Sequence, residues 1–298
     1  MTFLIVDLEW NGAWSKKAHG YFNEIIEIGA VKLDETLTEQ GVFHAVIRPQ
    51  VSKKLSTIVT DLTNITDEEL KDGTSFHKAM AGLRRFAGDG ERALVTWSNT
   101  DLLVLMENCR FFYGSDRVEG FTHYADLQAY CQMRLEIEPS RQPSLDSICD
   151  QLGISEEGFS LHRAPDDAQL TAAICRKLYD KAAFAPYLKR MDAEFYARIT
   201  FKVTPITDPE SPLLPKNIWD FHCPDCGRPL RRGRKWQYRS RAFCTDMTCR
   251  ACKKTFVARV QAKLKYDGPD IRRKLVEKLP PEEKATESTT CVPQPTDT

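Results

Sequence analysis

No apolar run in this 298-residue chain approaches the roughly 18–20 residues of a membrane-spanning helix, so an integral membrane protein of that kind is excluded. No segment repeats. Net charge is missing too, since 42 lysines and arginines balance 42 aspartates and glutamates. Residues 1–6 carry no basic side chain ahead of a short apolar run that Asp7 ends. That is not the pattern of a signal peptide, and a cytoplasmic protein is expected. Its ten cysteines are then expected to stay reduced, with clustered ones holding metal rather than forming disulfides. Nothing in the composition is extreme. With 42% hydrophobic and 28% charged residues, a fibrous chain or one disordered throughout is ruled out. The length admits one large domain or two ordinary ones.

What is present is an asymmetry that the zero sum conceals. Residues 1–200 hold 22 Lys+Arg against 30 Asp+Glu, whereas residues 215–265 hold 14 against 3. An acidic body joined to a basic module is the layout of a protein that handles a polyanion. Between them fall Pro205, Pro209, Pro212 and Pro215, whose restricted φ reads as an extended linker. The expected division is a body over 1–200, a proline-rich linker over 201–216, a basic cysteine-bearing module over 217–265 and a helical or disordered tail over 266–298.

Residues 3–6 are apolar without a break, as in a buried central strand. Segments 24–33, 42–47, 93–97 and 122–125 read as further strands. Phe76, Ala79, Met80, Leu83, Phe86 and Ala87 recur at helical spacing. A helix is also expected over 101–112, and similar stripes run through 145–152 and 170–178. Strands in a meander, then strands alternating with helices, predict a mixed α/β sheet flanked by helices.

Asp7 and Glu9 close the first strand in the run IVDLEW. Residues i and i+2 of a strand share a face, so the two carboxylates converge at its C-terminal end, where open α/β sheets tend to bind ligands. Adjacent carboxylates repel each other, and a hard divalent cation such as Mg²⁺ relieves that repulsion. An acidic loop after a strand would give the same pattern by itself. Asp101 opens a helix, where the macrodipole favours an acid in any case. His162 and Asp167 lie in LHRAPDDA, where Pro165 suits a first helical turn, so an imidazole and a carboxylate can face one site across a helix start.

Taken together, D-x-E at Asp7/Glu9, Asp101 in WSNTD and H-x₄-D at His162/Asp167 resemble, in order and spacing, the DEDDh family of 3′→5′ exonucleases on the ribonuclease H-like fold. LTNIT at 62–66 and the run TWSNTDLLVL resemble its Eri1/KapD-like branch, and the resemblance covers residues 1–180. It implies two Mg²⁺ or Mn²⁺ ions held by Asp7, Glu9 and Asp167, with Asp7 bridging and Asp101 acting partly through water. It also implies His162 as general base, with 5′-mononucleotides released from 3′ ends. Asp166 is then a helix-start acid, because the family spacing selects Asp167. Leu62, Thr63 and Ile65 would line the terminal-nucleotide pocket, with ordinary core packing as the alternative. The branch mostly trims RNA, so single-stranded RNA ends are the implied substrate. A DNA exonuclease shares every catalytic motif and remains the alternative.

Cys223-x₂-Cys226 and Cys249-x₂-Cys252, 22 residues apart, fit a four-thiolate zinc ribbon. Cys244 is a fifth candidate, the spare by CxxC geometry though still able to compete. His222 abuts Cys223, and adjacent residues rarely ligate one ion. Cys109, Cys131, Cys149 and Cys175 occupy apolar helical positions and read as core, and Cys291 lies in the tail. Between the knuckles, Arg231, Arg232 and Arg234 interleave with Trp236, Tyr238 and Phe243. That mixture suits phosphate contact with base stacking, or else outward arginines around a small aromatic core. Two other readings stay open: a non-catalytic nucleic-acid binder on the same fold, and a ribbon that docks a protein. All five catalytic-type residues being present argues against the first.

Overall fold

β1 (Thr2–Ser15) and β2 (Gly20–Leu33) form a long antiparallel hairpin at the centre of the first of two units in the computed structural model, which describes residues 1–52, 54–138 and 140–278. The unit spans residues 1–199. Its sheet runs β3 (Glu39–Val46), β2, β1, β4 (Arg92–Thr96), β5 (His123–Asp126) and β6 (Lys189–Arg190). β1, β4 and β5 are parallel, and β2, β3 and β6 run against their neighbours. The expected mixed sheet is therefore present.

Alternation along β1 divides the core. Leu4, Val6 and Leu8 face α3 (Phe76–Ala87) and α4 (Asn99–Tyr113), while Phe3 and Ile5 face α5 (Leu127–Arg134), α6 (Leu145–Leu152) and α7 (Ala164–Leu178). Asp7 and Glu9 continue the second face midway along β1, which does not end at them as the sequence reading expected: pairing with β2 carries the strand on to Ser15. Two short helices, α1 (Thr57–Thr63) and α2 (Asp67–Lys71), fill the connection from β3 to α3, and α8 (Lys181–Phe184) and α9 (Ala193–Ile199) flank β6. Ser56, Ser75, Ser98 and Ser144 each accept a first-turn N–H of α1, α3, α4 and α6, a cap worth about 1 kcal/mol. Cys109, Cys131, Cys149 and Cys175 are buried, as expected of core thiols. Among the described residues no helix is long and apolar enough to cross a membrane.

The second unit begins at Thr200 and corrects two expectations. Its sheet runs β12 (Gly268–Glu277), β11 (Thr255–Lys265), β10 (Ala242–Thr248) and β8 (Arg231–Arg232), with β9 (Gln237–Arg239) on β10 and β7 (Thr204–Pro205) on β11. The stretch 201–216 is not a free linker: β7 pairs with Lys263 and Leu264, and Ile206 and Leu214 are buried beside Phe221, Phe243 and Val260. So small a module has few apolar residues between its cysteines, Leu230, Trp236, Phe243 and Met247 among them, and adds to them from the preceding segment. Nor is 266–278 a helix or a disordered tail. Tyr266 and Asp267 turn the chain, Gly268 takes φ 120°, and β12 pairs with β11 along its length while Ile271 and Leu275 pack inward. The remaining tail, with Cys291, lies outside the described residues.

Candidate active site and cysteine centre

The D-x-E pair is followed at once by an irregularity, because the β1–β2 register shifts between Glu9 and Trp10. Asp7 lies opposite Gly29 of β2, and Glu9 opposite Glu27. A Cβ on Gly29 would sit 2.1 Å from the Ala164 carbonyl carbon and 2.2 Å from the Pro165 nitrogen, so only glycine lets the first turn of α7 lie on the strand. That close approach carries Asp167 to the two β1 acids. One carboxylate oxygen each from Asp7, Glu9 and Asp167 lies within 4.8 Å of the others.

The remaining predicted residues border this cluster. Asp101, in the first turn of α4, is buried, and the Leu8 backbone N–H between the two β1 acids favours its charged form. His162 precedes α7 in the left-handed region at φ 63°, with its ring exposed. Its N–H donates to Asp167 Oδ2 at 3.1 Å. Asp167 Oδ1 is buried with no hydrogen-bond partner.

Sequence reasoning missed the group that locks α7 in place. Glu27 has no exposed surface and accepts from Arg163 at 2.5 Å, His44 at 2.7 Å and the Ala164 N–H at 2.9 Å. Arg163 also reaches Glu69 of α2 at 2.8 Å. Burial pushes the Glu27 carboxyl up, but His44, Arg163 and Ala164 together hold it below its ordinary value. The available signal was an acid flanked by isoleucines, two residues before Gly29, in the apolar stretch from Ile25 to Val31.

The cluster itself behaves in the opposite way. Burial first, then Asp101, Asp167, Glu9 and Glu27, drive Asp7 well above the usual carboxylate range. Burial and neighbouring acids lift Glu9 to about 8. Asp101 rises to about 7, mainly by burial, against the backbone N–H groups that stabilise its charge. Asp167 rises to about 6 by burial, with His162 opposing. An orphaned buried oxygen and four repelling carboxylates with all-oxygen donors fit a hard divalent cation.

Next to the cluster, Asn11 accepts from Ser56 N–H and donates to the Lys54 carbonyl, both at 3.1 Å, tying α1 to β1. Of the three residues expected in a nucleotide pocket, two are corrected. Ile65 has no exposed surface and packs with Ile26 and Leu70, while buried Thr63 donates to the Val59 carbonyl and accepts from Ile65 N–H. Only Leu62 is open; Ile58, one turn before it and also exposed, was not singled out by the sequence reading. Asn64 takes φ 58° and caps α1, a conformation that asparagine tolerates.

In the second unit the Sγ atoms of Cys223, Cys226, Cys249 and Cys252 lie within 4.8 Å of one another. Cys223–Cys252 and Cys226–Cys249 are 3.9 and 3.6 Å apart, close to the ~3.8 Å edge of a tetrahedron with ~2.3 Å Zn–S bonds. The Cys252 N–H foremost draws Cys249 down to about 7. The cluster is compatible with Zn²⁺. Cys244 lies outside it, buried in β10, and His222 is exposed and also outside. Trp236 needs correction as a stacking residue: it packs on Trp219 at 4.8 Å, with its Nε1 buried. Arg231, Arg232 and Arg234 are exposed and make no ion pair among the described residues.

The family model described as "Exonuclease" matches residues 4–175. The "Probable 3'-5' exonuclease KapD" of Bacillus subtilis is 31% identical over 114 residues, 37% of this chain and 54% of that protein. The "DNA polymerase III PolC-type" of Thermotoga petrophila is 31% identical over 176 residues, 58% of this chain and 11% of that protein. The chain thus spans about half of one relative's length and a tenth of the other's. The nuclease domain of 3'hExo, described as a DEDDh family member bound to rAMP, superposes with TM-score 0.53 at 19% identity, covering 64% of this chain and 96% of that one. The likeness shows a shared fold, the one the sequence motifs implied.

Proposed function

The chain belongs to the exonuclease family, and from that membership we propose that it removes 5′-mononucleotides one at a time from the 3′ end of a single-stranded nucleic acid. The observation that carries the proposal is the convergence of Asp7, Glu9 and Asp167 where the first turn of α7 crosses the middle of the β1–β2 hairpin. These three residues would hold the divalent ions, with Asp101 supporting them from α4. When bound, the ions neutralise charge on the phosphodiester and stabilise its attacking and leaving oxygens.

His162 takes a proton from the attacking water as the water oxygen bonds to phosphorus. The P–O3′ bond breaks, the 5′-mononucleotide is released, and the shortened strand leaves with a 3′-hydroxyl as its oxygen takes a proton from a solvent water, while His162 gives its own proton back to solvent. An imidazole, whose ring nitrogen can take up and give back a proton, suits that task. The left-handed backbone of His162 and the Arg163 ion pairs that follow hold the base at the start of α7 while its ring stays accessible. Glu27 orients this segment without touching substrate. Leu62 and Ile58 offer an apolar face to the terminal base.

RNA is the proposed polymer, supported by the resemblance to an RNA-trimming branch and by the rAMP bound to the 3'hExo neighbour. The PolC-type relative favours DNA as the second reading. Exposed arginines of the ribbon would grip the phosphates farther along the strand. The test supplies labelled single-stranded RNA, single-stranded DNA and 3′-overhang duplexes with Mg²⁺ or Mn²⁺. Mononucleotide release, faster on RNA, is expected. Faster release from DNA would transfer the proposal to the second reading, and internal cuts alone would refute both.

A further inference from the structure

The most exposed aromatic side chains among the described residues are cross-strand partners. Trp14 and Tyr21, 72% and 68% exposed, face each other near the tip of the β1–β2 hairpin. The same two strands carry Asp7, Glu9 and Glu27 midway along their length. Tyr21 is seated rather than loose, because its ring lies over Gly12, where a Cβ would come within 2.5 Å of Cε1. The hairpin is braced on α4: Phe22 stacks on Phe111 with centroids 4.5 Å apart, and Lys17 Nζ sits 4.2 Å from the Phe111 centroid.

Charge points to the occupant. Residues 10–23 include Lys16, Lys17 and His19 and no acid, in a body where acids outnumber bases 30 to 22. Open aromatic faces beside ammonium groups are the equipment for stacking bases while contacting phosphates. Five residue-to-residue steps lead from Glu9 to Trp14, roughly 17 Å at ~3.4 Å each, and a stacked strand rises by the same ~3.4 Å per nucleotide. We infer that the hairpin tip is an accessory subsite for single-stranded nucleic acid, with Trp14 and Tyr21 stacking bases about five nucleotides upstream of the 3′ end and Lys16 and Lys17 meeting the phosphates. The position along the strand rests on the exonuclease reading. The affinity for a single strand does not.

The test uses the full chain and the paired variants Trp14→Ala/Tyr21→Ala and Trp14→Phe/Tyr21→Phe. Without divalent metal, each is titrated with a labelled eight-nucleotide single-stranded DNA. With Mg²⁺, kcat/KM is measured on that strand and on a dinucleotide, which is too short to reach the hairpin. The alanine pair is expected to bind and cleave the eight-nucleotide strand about tenfold less well or worse, with dinucleotide cleavage within twofold of the unsubstituted chain. The phenylalanine pair should recover most of the loss, since it keeps the aromatic faces. Equal Kd and equal kcat/KM for all three chains would overturn the inference and leave the exonuclease reading standing. An alanine variant that loses dinucleotide cleavage in the same proportion would also overturn it, as damage to the fold. A change in sedimentation with no change in Kd would assign the aromatics to a second copy of the chain instead. Hairpin-dependent binding with no cleavage by any chain would overturn the exonuclease reading and keep the subsite.

Discussion

Asp167 Oδ1, buried without a partner, marks the strain the site holds when no cation is bound. Asp7→Asn and Asp167→Asn should each abolish nucleotide release while raising the melting temperature of protein prepared without divalent metal, since each removes one repelling charge. The pH dependence follows from the same groups. Asp167, Asp101 and Glu9 titrate near 6, 7 and 8 in the folded chain, against ordinary values of 3.8 to 4.5. Between those limits the folded state holds more protons than the unfolded state. Their favourable contribution is therefore complete below about pH 4 and is lost as pH rises toward 8. Melting temperature without divalent metal should fall from pH 5 to 8, less steeply in Asp7→Asn, and Mg²⁺ should restore most of it at pH 8. A melting temperature that climbs across this window would contradict the assignment. His162→Ala should lower turnover by roughly 10²–10⁴-fold at neutral pH with metal affinity retained. A rate within a few-fold of the unsubstituted chain would leave the cation site without this base.

At the scale of elements, the site depends on how closely α7 lies on β2. Gly29→Ala forces a Cβ into the Ala164–Pro165 backbone, which cannot swing aside like a side chain. Overpacking of this kind costs about 1–3 kcal/mol, and the displaced helix should cost activity as well. Unchanged melting and unchanged kcat would show that α7 is free to shift. Much of this layer was legible beforehand. The stripe from Phe76 to Ala87 has an unambiguous period, the short apolar run at 3–6 reads as a buried strand by its length, and D-x-E places its acids by strand alternation alone. What escaped were contacts between segments distant in sequence. Glu27 looks like any strand residue until Arg163 arrives from 136 positions away. Ile65 and Trp236 carried no mark separating a buried side chain from a ligand-facing one. β12 was misread because Lys and Arg crowd its outward positions and mask the inward Ile271 and Leu275, although Asp267-Gly268 is an ordinary turn signal.

For the whole molecule, the division falls at Thr200, and Ile206 and Leu214 belong to the ribbon's core. A deletion beginning at 215 would strand those two side chains in water, so the truncation to make is residues 1–199. It should cleave dinucleotides like the full chain, bind long single strands more weakly and show a shallower fall of log K with log salt, because unpaired arginines leave with the ribbon. A zinc chelator acting on the full chain should move its salt slope the same way, since so small a module depends on its metal. Equal affinities and slopes would favour protein docking as the ribbon's role. The most direct test of the exonuclease proposal is a time course of the full chain on a single strand labelled within its sugar–phosphate backbone, in Mg²⁺, beside Asp7→Asn. Labelled 5′-mononucleotides accumulating from the 3′ end, with none from Asp7→Asn, is the expected result. Equal release by both proteins, or none by the unsubstituted chain in Mg²⁺ or Mn²⁺, would contradict it.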